Sequence, residues 1–346
     1  MAILDRVRSG LGFDRLRAGV VGAGSVARNA HLPVYKQDER VDLIAIADLD
    51  SSNRKSAAQD FDAERTYSNG DQMISEEDLD LVSICTPPAT HESLFITAAE
   101  AGTNIYCEKP MTISVEAAKR MTAAAESAEV ISQIGYTRPY VENYKTVLSL
   151  LDNSILGDIQ SLHTHRIRGP PSGRWNYDPS VSGGGVVSDQ LPHILDFYIR
   201  VFDTEPKIRD VRFRSDEVPT VEDYAEIDFE FDGIPVRTTL GWTLHSQYQR
   251  NVLNANRGTV EYNMRTIEGS IQGSEFAQKC GENPVIDIKG LFRSFASASD
   301  NFHSKRIQDF VDHVEANDFN TVAPVQRGLR ITKIIREIYD RSEVLK

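Results

Sequence analysis

The stretch Arg17-Ala18-Gly19-Val20-Val21-Gly22-Ala23-Gly24-Ser25-Val26-Ala27 decides the fold. Its apolar first half predicts a buried strand over residues 17–21, and the residues after the glycine turn predict a helix over 25–38. Gly22 lacks the side chain that would block a tight turn, and Gly24 lets backbone amides approach a pyrophosphate at the helix start. Ala27 takes the third small position, where helix and strand pack closely. A second strand over 41–47 completes a βαβ unit, so Gly22, Gly24, Ser25, Val26 and Ala27 are candidate cofactor-binding residues.

The alternation continues outward from this unit. Helical patterns at 52–61, 91–101 and 115–128 separate strand-like runs at 81–85, 104–107 and 130–136. Such a series implies a parallel sheet covered on both faces. After Thr137 the composition changes, and a helix at 144–151 leads into strand-like runs at 159–168, 208–218, 224–231, 234–242 and 251–263. Turn residues such as Asp232-Gly233 join these consecutive strands, which predicts an open, largely antiparallel sheet. Amphipathic helices at 305–316 and 325–345 are expected to brace the two halves. The predicted class is α/β: an N-terminal Rossmann dinucleotide-binding domain and a C-terminal α+β domain. The expected boundaries are 1–16 for an N-terminal extension, 17–137 for the dinucleotide-binding domain, and 138–346 for a substrate-binding and oligomerisation domain.

At 346 residues the chain exceeds what one core usually organises. Its 51 acidic against 38 basic residues give a net charge of -13, which repels phosphate backbones and anionic lipid and argues against nucleic acid as a partner. Residues 1–16 mix charges with isolated apolar residues, unlike a secretory signal, and no run approaches the roughly 20 apolar residues of a membrane span. A cytoplasmic location is expected. Cys85, Cys107 and Cys280 have no metal-type spacing and read as reduced thiols. His163 and His165 share one strand face, but no carboxylate or cysteine pattern completes a site, so no metal is expected.

Asp48 ends the second predicted strand about 20 residues beyond Ala27, where a carboxylate can accept bonds from ribose hydroxyls or simply tie a turn. The first role favours NAD, and nearby Arg54 leaves NADP open. Thr86-Pro87-Pro88 follows the strand at 81–85 and is expected to border the nicotinamide ribose with His91, which reads equally as a packing or capping residue.

Oxidising a hydroxyl requires a proton acceptor and a group that polarises the oxygen. Lys109 follows the strand at 104–107, at the sheet edge that opens to ligand, and Pro110 fixes the turn and allows a cis bond there. Glu108 shares this border with the cofactor. His193 is the natural base, because a nearby Lys109 charge favours its neutral form; a packed core histidine is the other reading. Asp189 precedes it by four residues and either orients it or caps the helix. Pro192 fits only a first helical turn, which predicts a helix starting at Asp189 or later. Arg138, Arg174, Trp175 and Tyr177, near Arg166, Arg168 and Asn176, supply candidate hydroxyl and anion contacts for a polyhydroxylated substrate.

Taken together, Gly22-Ala23-Gly24-Ser25-Val26-Ala27, Thr86-Pro87-Pro88 with His91, Glu108-Lys109-Pro110, and Gly183-Gly184-Gly185 with Asp189, His193 and Asp196 resemble the Gfo/Idh/MocA oxidoreductases. The resemblance covers nearly the whole length. It implies a two-domain enzyme in which Lys109, Asp189 and His193 line a pocket between the nicotinamide and an open sheet. His193 would be the acid-base residue, Lys109 would bind the reacting oxygen, and Asp189 would orient substrate or histidine. A homodimer or homotetramer through the C-terminal sheet is implied as well. The expected activity is NAD(P)-dependent hydride transfer to or from a sugar, sugar derivative or cyclitol. An NAD-dependent glycosidase working by transient oxidation, and a non-catalytic NAD-binding regulator, are the alternatives.

Overall fold

The computed structural model describes residues 15–244, 247–279 and 302–342, so Cys280 and residues 1–14 of the expected extension lie outside the described residues. Six strands, β1 (Leu16–Val21), β2 (Val41–Ala47), β3 (Arg65–Tyr67), β4 (Leu81–Ile84), β5 (Asn104–Cys107) and β6 (Ser132–Ile134), form a parallel sheet in the order β3-β2-β1-β4-β5-β6. Every residue of β4 is buried, and only Arg17 in β1 and Asp42 in β2 reach the surface, as expected of strands covered on both faces. The strand order reverses between β1 and β4. Their carboxyl ends therefore open the crevice at which such sheets bind ligands.

Helices α1 (Leu32–Gln37), α2 (Ser51–Phe61), α3 (Gly70–Glu76), α4 (His91–Glu100) and α5 (Val115–Ala128) connect these strands. Asp50 caps α2 by accepting from the Ser52 and Asn53 amides, and Ser114 caps α5 through the Ala117 amide. The segment expected as one regular helix over 25–38 contains a π-turn at Ala27–His31 ahead of α1. Pro33 accounts for it: proline has no amide hydrogen and crowds the carbonyl four residues back, so the preceding turn is wound wider, with Leu32 N–H bonded to Ala27 O. His31 lies in that wide turn and is fully buried.

Eight strands build the second sheet, in the order β14-β13-β12-β11-β7-β10-β9-β8. They are β7 (Ile159–Arg168), β8 (Lys207–Arg214), β9 (Tyr224–Phe231), β10 (Ile234–Trp242), β11 (Tyr248–Ala255), β12 (Gly258–Tyr262), β13 (Thr266–Ile271) and β14 (Ser274–Lys279). All pairs are antiparallel except β7 with β10. The expected strand over 251–263 is two strands, because Asn256 and Arg257 turn the chain between β11 and β12. In β9 the period of two is complete: Ala225, Ile227, Phe229 and Phe231 face inward, and Glu226, Asp228 and Glu230 face outward. Helices α6 (Glu142–Asp152), the short α7 (Pro179–Ser182) and α8 (Val186–Phe202) follow in chain order, with α6 and α8 covering the inner face. The outer face carries cross-strand ion pairs, Arg237 with Asp228 at 2.6 and 2.9 Å and Arg250 with Glu261 at 2.5 Å, and it is this face on which His163 and His165 lie.

Two late helices tie the halves together. Ile307, Phe310, Val311 and Val314 of α9 (Phe302–Glu315) join the cluster of Leu16, Val20, Leu43, Ile46 and Tyr106, so this helix returns to roof the first sheet. Each such buried side chain contributes about 1.5–3 kcal/mol. The following helix, α10 (Val325–Arg341), packs between α5 and α8.

Helix α8 corrects the expectation drawn from Pro192. It begins at Val186, three residues before Asp189, and Pro192 sits inside it. The start is fixed by Glu222, a buried residue between β8 and β9. Its carboxylate accepts from the amides of Gly185 at 2.9 and 3.0 Å and Val187 at 3.0 Å, while the Tyr339 hydroxyl donates to it at 2.6 Å. A negative group at a helix N-terminus is stabilising, and this one supplies the cap that the local sequence lacks. Two glycines permit the approach: a Cβ on Gly184 would collide with the Tyr339 hydroxyl, and one on Gly185 with the Glu222 carbonyl.

Candidate active site

At the crevice between β1 and β4, Gly22 has φ +93°, and a Cβ there would lie 2.8 Å from the carbonyl of Cys85. Only glycine lets the two loops touch. A Cβ on Gly24 would meet nothing within 4 Å, so the surface above the turn is open. Gly24 and Ser25 are exposed and Val26 is partly exposed, whereas Ala27 is fully buried and serves to pack the helix on the sheet. No side chain caps this helix start, and its first-turn amides face the crevice with the positive end of the helix. These features fit the pyrophosphate of a dinucleotide.

Asp48 sits at the end of β2, with Oδ2 accepting from the Ala23 amide at 2.7 Å and Oδ1 from the Asp50 amide at 2.8 Å. A carboxylate has about four acceptor positions, so tying the turn leaves capacity for a ribose hydroxyl. Arg54 donates to the carbonyls of Asp48 and Leu49 at 3.2 and 3.3 Å. Thr86 and Pro87 are partly exposed on the opposite rim.

Two candidate cofactor contacts lie elsewhere. His91 is fully buried beneath the Lys109-Pro110 turn, a cis peptide. Its Nε2 lies 2.7 Å from Thr86 O, and its Nδ1 lies 3.1 Å from the carbonyls of Pro110 and Met111 and 3.4 Å from the Cys107 thiol. Burial holds this ring below its ordinary pKa, in keeping with a neutral packing histidine.

Glu108 likewise turns inward. Arg306 of α9 reaches its Oε1 at 2.7 Å, and His31 Nε2 lies 2.9 Å from the same atom. Burial lowers the pKa of His31 despite that carboxylate, so the neutral ring donates from Nε2 and accepts at Nδ1 from Ser83, 2.9 Å away. The Tyr35 hydroxyl, 2.6 Å from Ser83 Oγ, completes the chain. Burial alone would raise the Glu108 carboxyl, but the Arg306 charge and the His31 bond hold it far below the usual carboxylate range. Its neighbour in sequence is thereby anchored: Lys109 N–H faces Glu108 Oε2 at 3.3 Å.

The side chain of Lys109 points the other way, across to α8. Its Nζ donates to Asp189 O at 2.6 Å and to Asp189 Oδ1 at 3.0 Å. Asp189 Oδ2 accepts from Trp242 Nε1 at 3.3 Å and faces Arg168 at 3.6 Å. Burial pushes the Asp189 carboxyl up, but Lys109 and Arg168 outweigh it and keep the group ionised. Four residues on, along the same helical face, stands His193. Burial lowers its pKa well below the ordinary value, and the charges of Lys109, Arg138 and Arg166 add to the shift.

Thr137 serves both tautomers of that ring. Its backbone N–H lies 3.3 Å from His193 Nδ1 and donates to a bare nitrogen, and its hydroxyl, 3.4 Å away, accepts from a protonated one.

Lys109, Trp175, Asn176, Asp189 and Trp242 line the cleft beside α8. Trp175 is 41% exposed at its rim. Arg174 is exposed and outside this lining, and Tyr177 is pinned by its hydroxyl to Pro171 O and by its ring against Trp242. Arg138 is buried over the Tyr144 ring, at 5.0 Å from its centroid. Sequence reasoning missed Thr137, Trp242, Glu222 and Arg306, which act through tertiary contacts and carry no local motif. Among the described residues no group of three or more histidine, cysteine, aspartate or glutamate side chains is placed to hold a metal, and no helix is long and apolar enough to cross a membrane.

Residues 16–136 match the family model described as oxidoreductase family, NAD-binding Rossmann fold, and residues 144–261 match the GFO/IDH/MocA C-terminal domain. The chain is 23% identical over 261 residues to oxidoreductase P35 of Formosa agariphila, covering 73% of this chain and 81% of that protein. It is 22% identical to D-glucoside 3-dehydrogenase of Escherichia coli K12 over 97% of this chain and 98% of that one. The solved structure of levoglucosan dehydrogenase, in complex with NADH and levoglucosan, superposes with a TM-score of 0.81 at 18% identity, over 94% of this chain and 96% of that one.

Proposed function

The chain belongs to the Gfo/Idh/MocA family of NAD-binding Rossmann oxidoreductases, and from that premise we propose that it transfers a hydride between a hydroxyl of a sugar, sugar derivative or cyclitol and NAD. The observation that carries this reading is the 2.6 Å bond by which Lys109, from the end of β5, meets α8 one turn ahead of His193. Relatives named for D-glucoside and levoglucosan support a polyhydroxylated substrate.

NAD, when bound, supplies the hydride acceptor or donor. The chain's own groups do the rest. The Lys109 ammonium orients and polarises the substrate oxygen, turning from its bonds to Asp189 or sharing them. His193, its Nδ1 facing Thr137, takes the hydroxyl proton in oxidation and returns it in reduction. Asp189 keeps the ammonium aimed at the cleft. The gain in absorbance of reduced nicotinamide, followed while sugars and cyclitols are screened, tests the reading; binding of NAD with no turnover across that panel would reject it. Release of an aglycone without accumulated NADH would mark transient oxidation instead.

Asp48→Ala is expected to weaken NAD by about tenfold, as loss of a charged hydrogen-bond partner does, and to weaken NADP less. Steady-state titration with both coenzymes measures this, and an unchanged preference would remove Asp48 from the ribose site. The pH profile follows from His193. Because its folded-state pKa is lowered, the proton-accepting form persists through neutrality, so kcat/KM for oxidation stays level and falls only below the ordinary histidine value. Rates followed between about pH 5 and 8 test this, and an inflection at or above neutrality contradicts it.

A further inference from the structure

We propose that the substrate carries an anionic group, a carboxylate or a phosphate monoester, seated by Arg166 and Arg138 beside His193. The inference rests on the oxidoreductase reading above and names the class of compound that this site takes. Along β7 the inner-face positions are Leu162, Thr164, Arg166 and Arg168, so the last two guanidinium groups project toward the start of α8. Arg138 reaches the same region from the segment after β6 and is 1% exposed.

Among the described residues no carboxylate is bonded to Arg138 or Arg166. Arg138 Nη1 contacts Met264 Sδ at 2.7 Å, and its Nε and Nη2 have no hydrogen-bond partner. Arg166 donates from Nη1 to the neutral Gln249 Oε1 at 3.2 Å, and its buried Nε is also unpartnered. The carboxylate bonded among these cations is Asp189, which Lys109 and Arg168 already share.

Two other cations enclosed in the fold have a carboxylate partner: Arg306 has Glu108 at 2.7 Å, and Arg200 has Asp196 at 3.0 Å. A buried guanidinium without an anion is costly, and two side by side repel. The strain is visible in Arg166, whose pKa burial and Arg138 bring down to about 9. A sugar hydroxyl would fill a hydrogen-bond vacancy but leave the charge unmet. A planar carboxylate or a phosphate satisfies both, because the guanidinium fork donates two parallel bonds to it.

Full-length protein loaded with NADH is titrated calorimetrically with malonate and with inorganic phosphate against chloride at equal ionic strength. Turnover with NAD is then compared for D-glucose, D-glucuronate and D-glucose 6-phosphate. One of the two anions is expected to bind, and the matching sugar to exceed glucose in kcat/KM by about tenfold or more. Which arm responds distinguishes carboxylate from phosphate. Arg166→Gln should remove that advantage while leaving NADH binding in place, and Arg166→Lys should restore part of it. Equal response of both anions and chloride, or an advantage that survives Arg166→Gln, overturns the inference. Failure of NADH to bind while the anion still binds would instead sink the oxidoreductase reading.

Discussion

His193→Ala and Lys109→Ala are each expected to lower turnover by roughly 100-fold or more, with little change in NAD affinity. The expectation follows from where the groups stand. Removing the imidazole deletes the proposed proton acceptor, and among the described residues no other titratable side chain shares its bonds to Thr137. Removing the ammonium deletes the donor proposed to polarise the oxygen, and Asp189 keeps Arg168 at 3.6 Å and the Trp242 N–H at 3.3 Å, so the cleft is still held together. Neither side chain touches the glycine turn, which is why coenzyme binding should survive. Single-turnover rates with calorimetric NAD titration separate the two effects, and near wild-type rates in both variants would end the role assignment.

Arg306→Met is expected to destabilise the fold by about 3–5 kcal/mol, the cost of leaving a buried charge without its partner. Glu108 would remain in the interior with a neutral His31 and the Tyr106 region around it. Combining this change with Glu108→Gln should recover a large share of the loss, since an amide carries no charge to strand. Denaturant unfolding of the single and double variants measures both. A single-variant loss under about 1 kcal/mol would show that the pair contributes no more than a surface ion pair does. The sign with pH is fixed as well. Glu108 has a depressed pKa in the fold, so its contribution is complete above the ordinary carboxylate range and is lost as acid protonates it.

Much of this architecture is written in short-range pattern. Val20-Val21-Gly22 with Gly24 announces the βαβ unit because a glycine turn after a buried strand has few other uses. The β9 alternation is equally legible, since Glu226, Asp228 and Glu230 must face water. Lys109 and His193 stand out by chemical type. What escapes is set by distance along the chain. Glu108 reads as a motif residue bordering the cofactor until Arg306 arrives to claim it, and Pro192 reads as a helix start until Glu222 supplies a cap from another loop. Short β3, of three residues, has too few positions to display a period. The π-turn before Pro33 has a signal in the proline itself, yet its consequence, a buried His31 bonded to Ser83 and Glu108, depends on partners 52 and 77 residues away.

Roofing by α9 has a consequence for how the molecule comes into being. Tyr106 and Arg306 are separated by 200 positions, so the nucleotide half leaves the ribosome with an uncovered apolar flank and a stranded acid at the end of its fifth strand. That half stays incompletely assembled until α9 has been synthesised. Excised at the change in composition after Thr137, it would lack its lid and its counter-ion together, so the first half depends on a late helix for both.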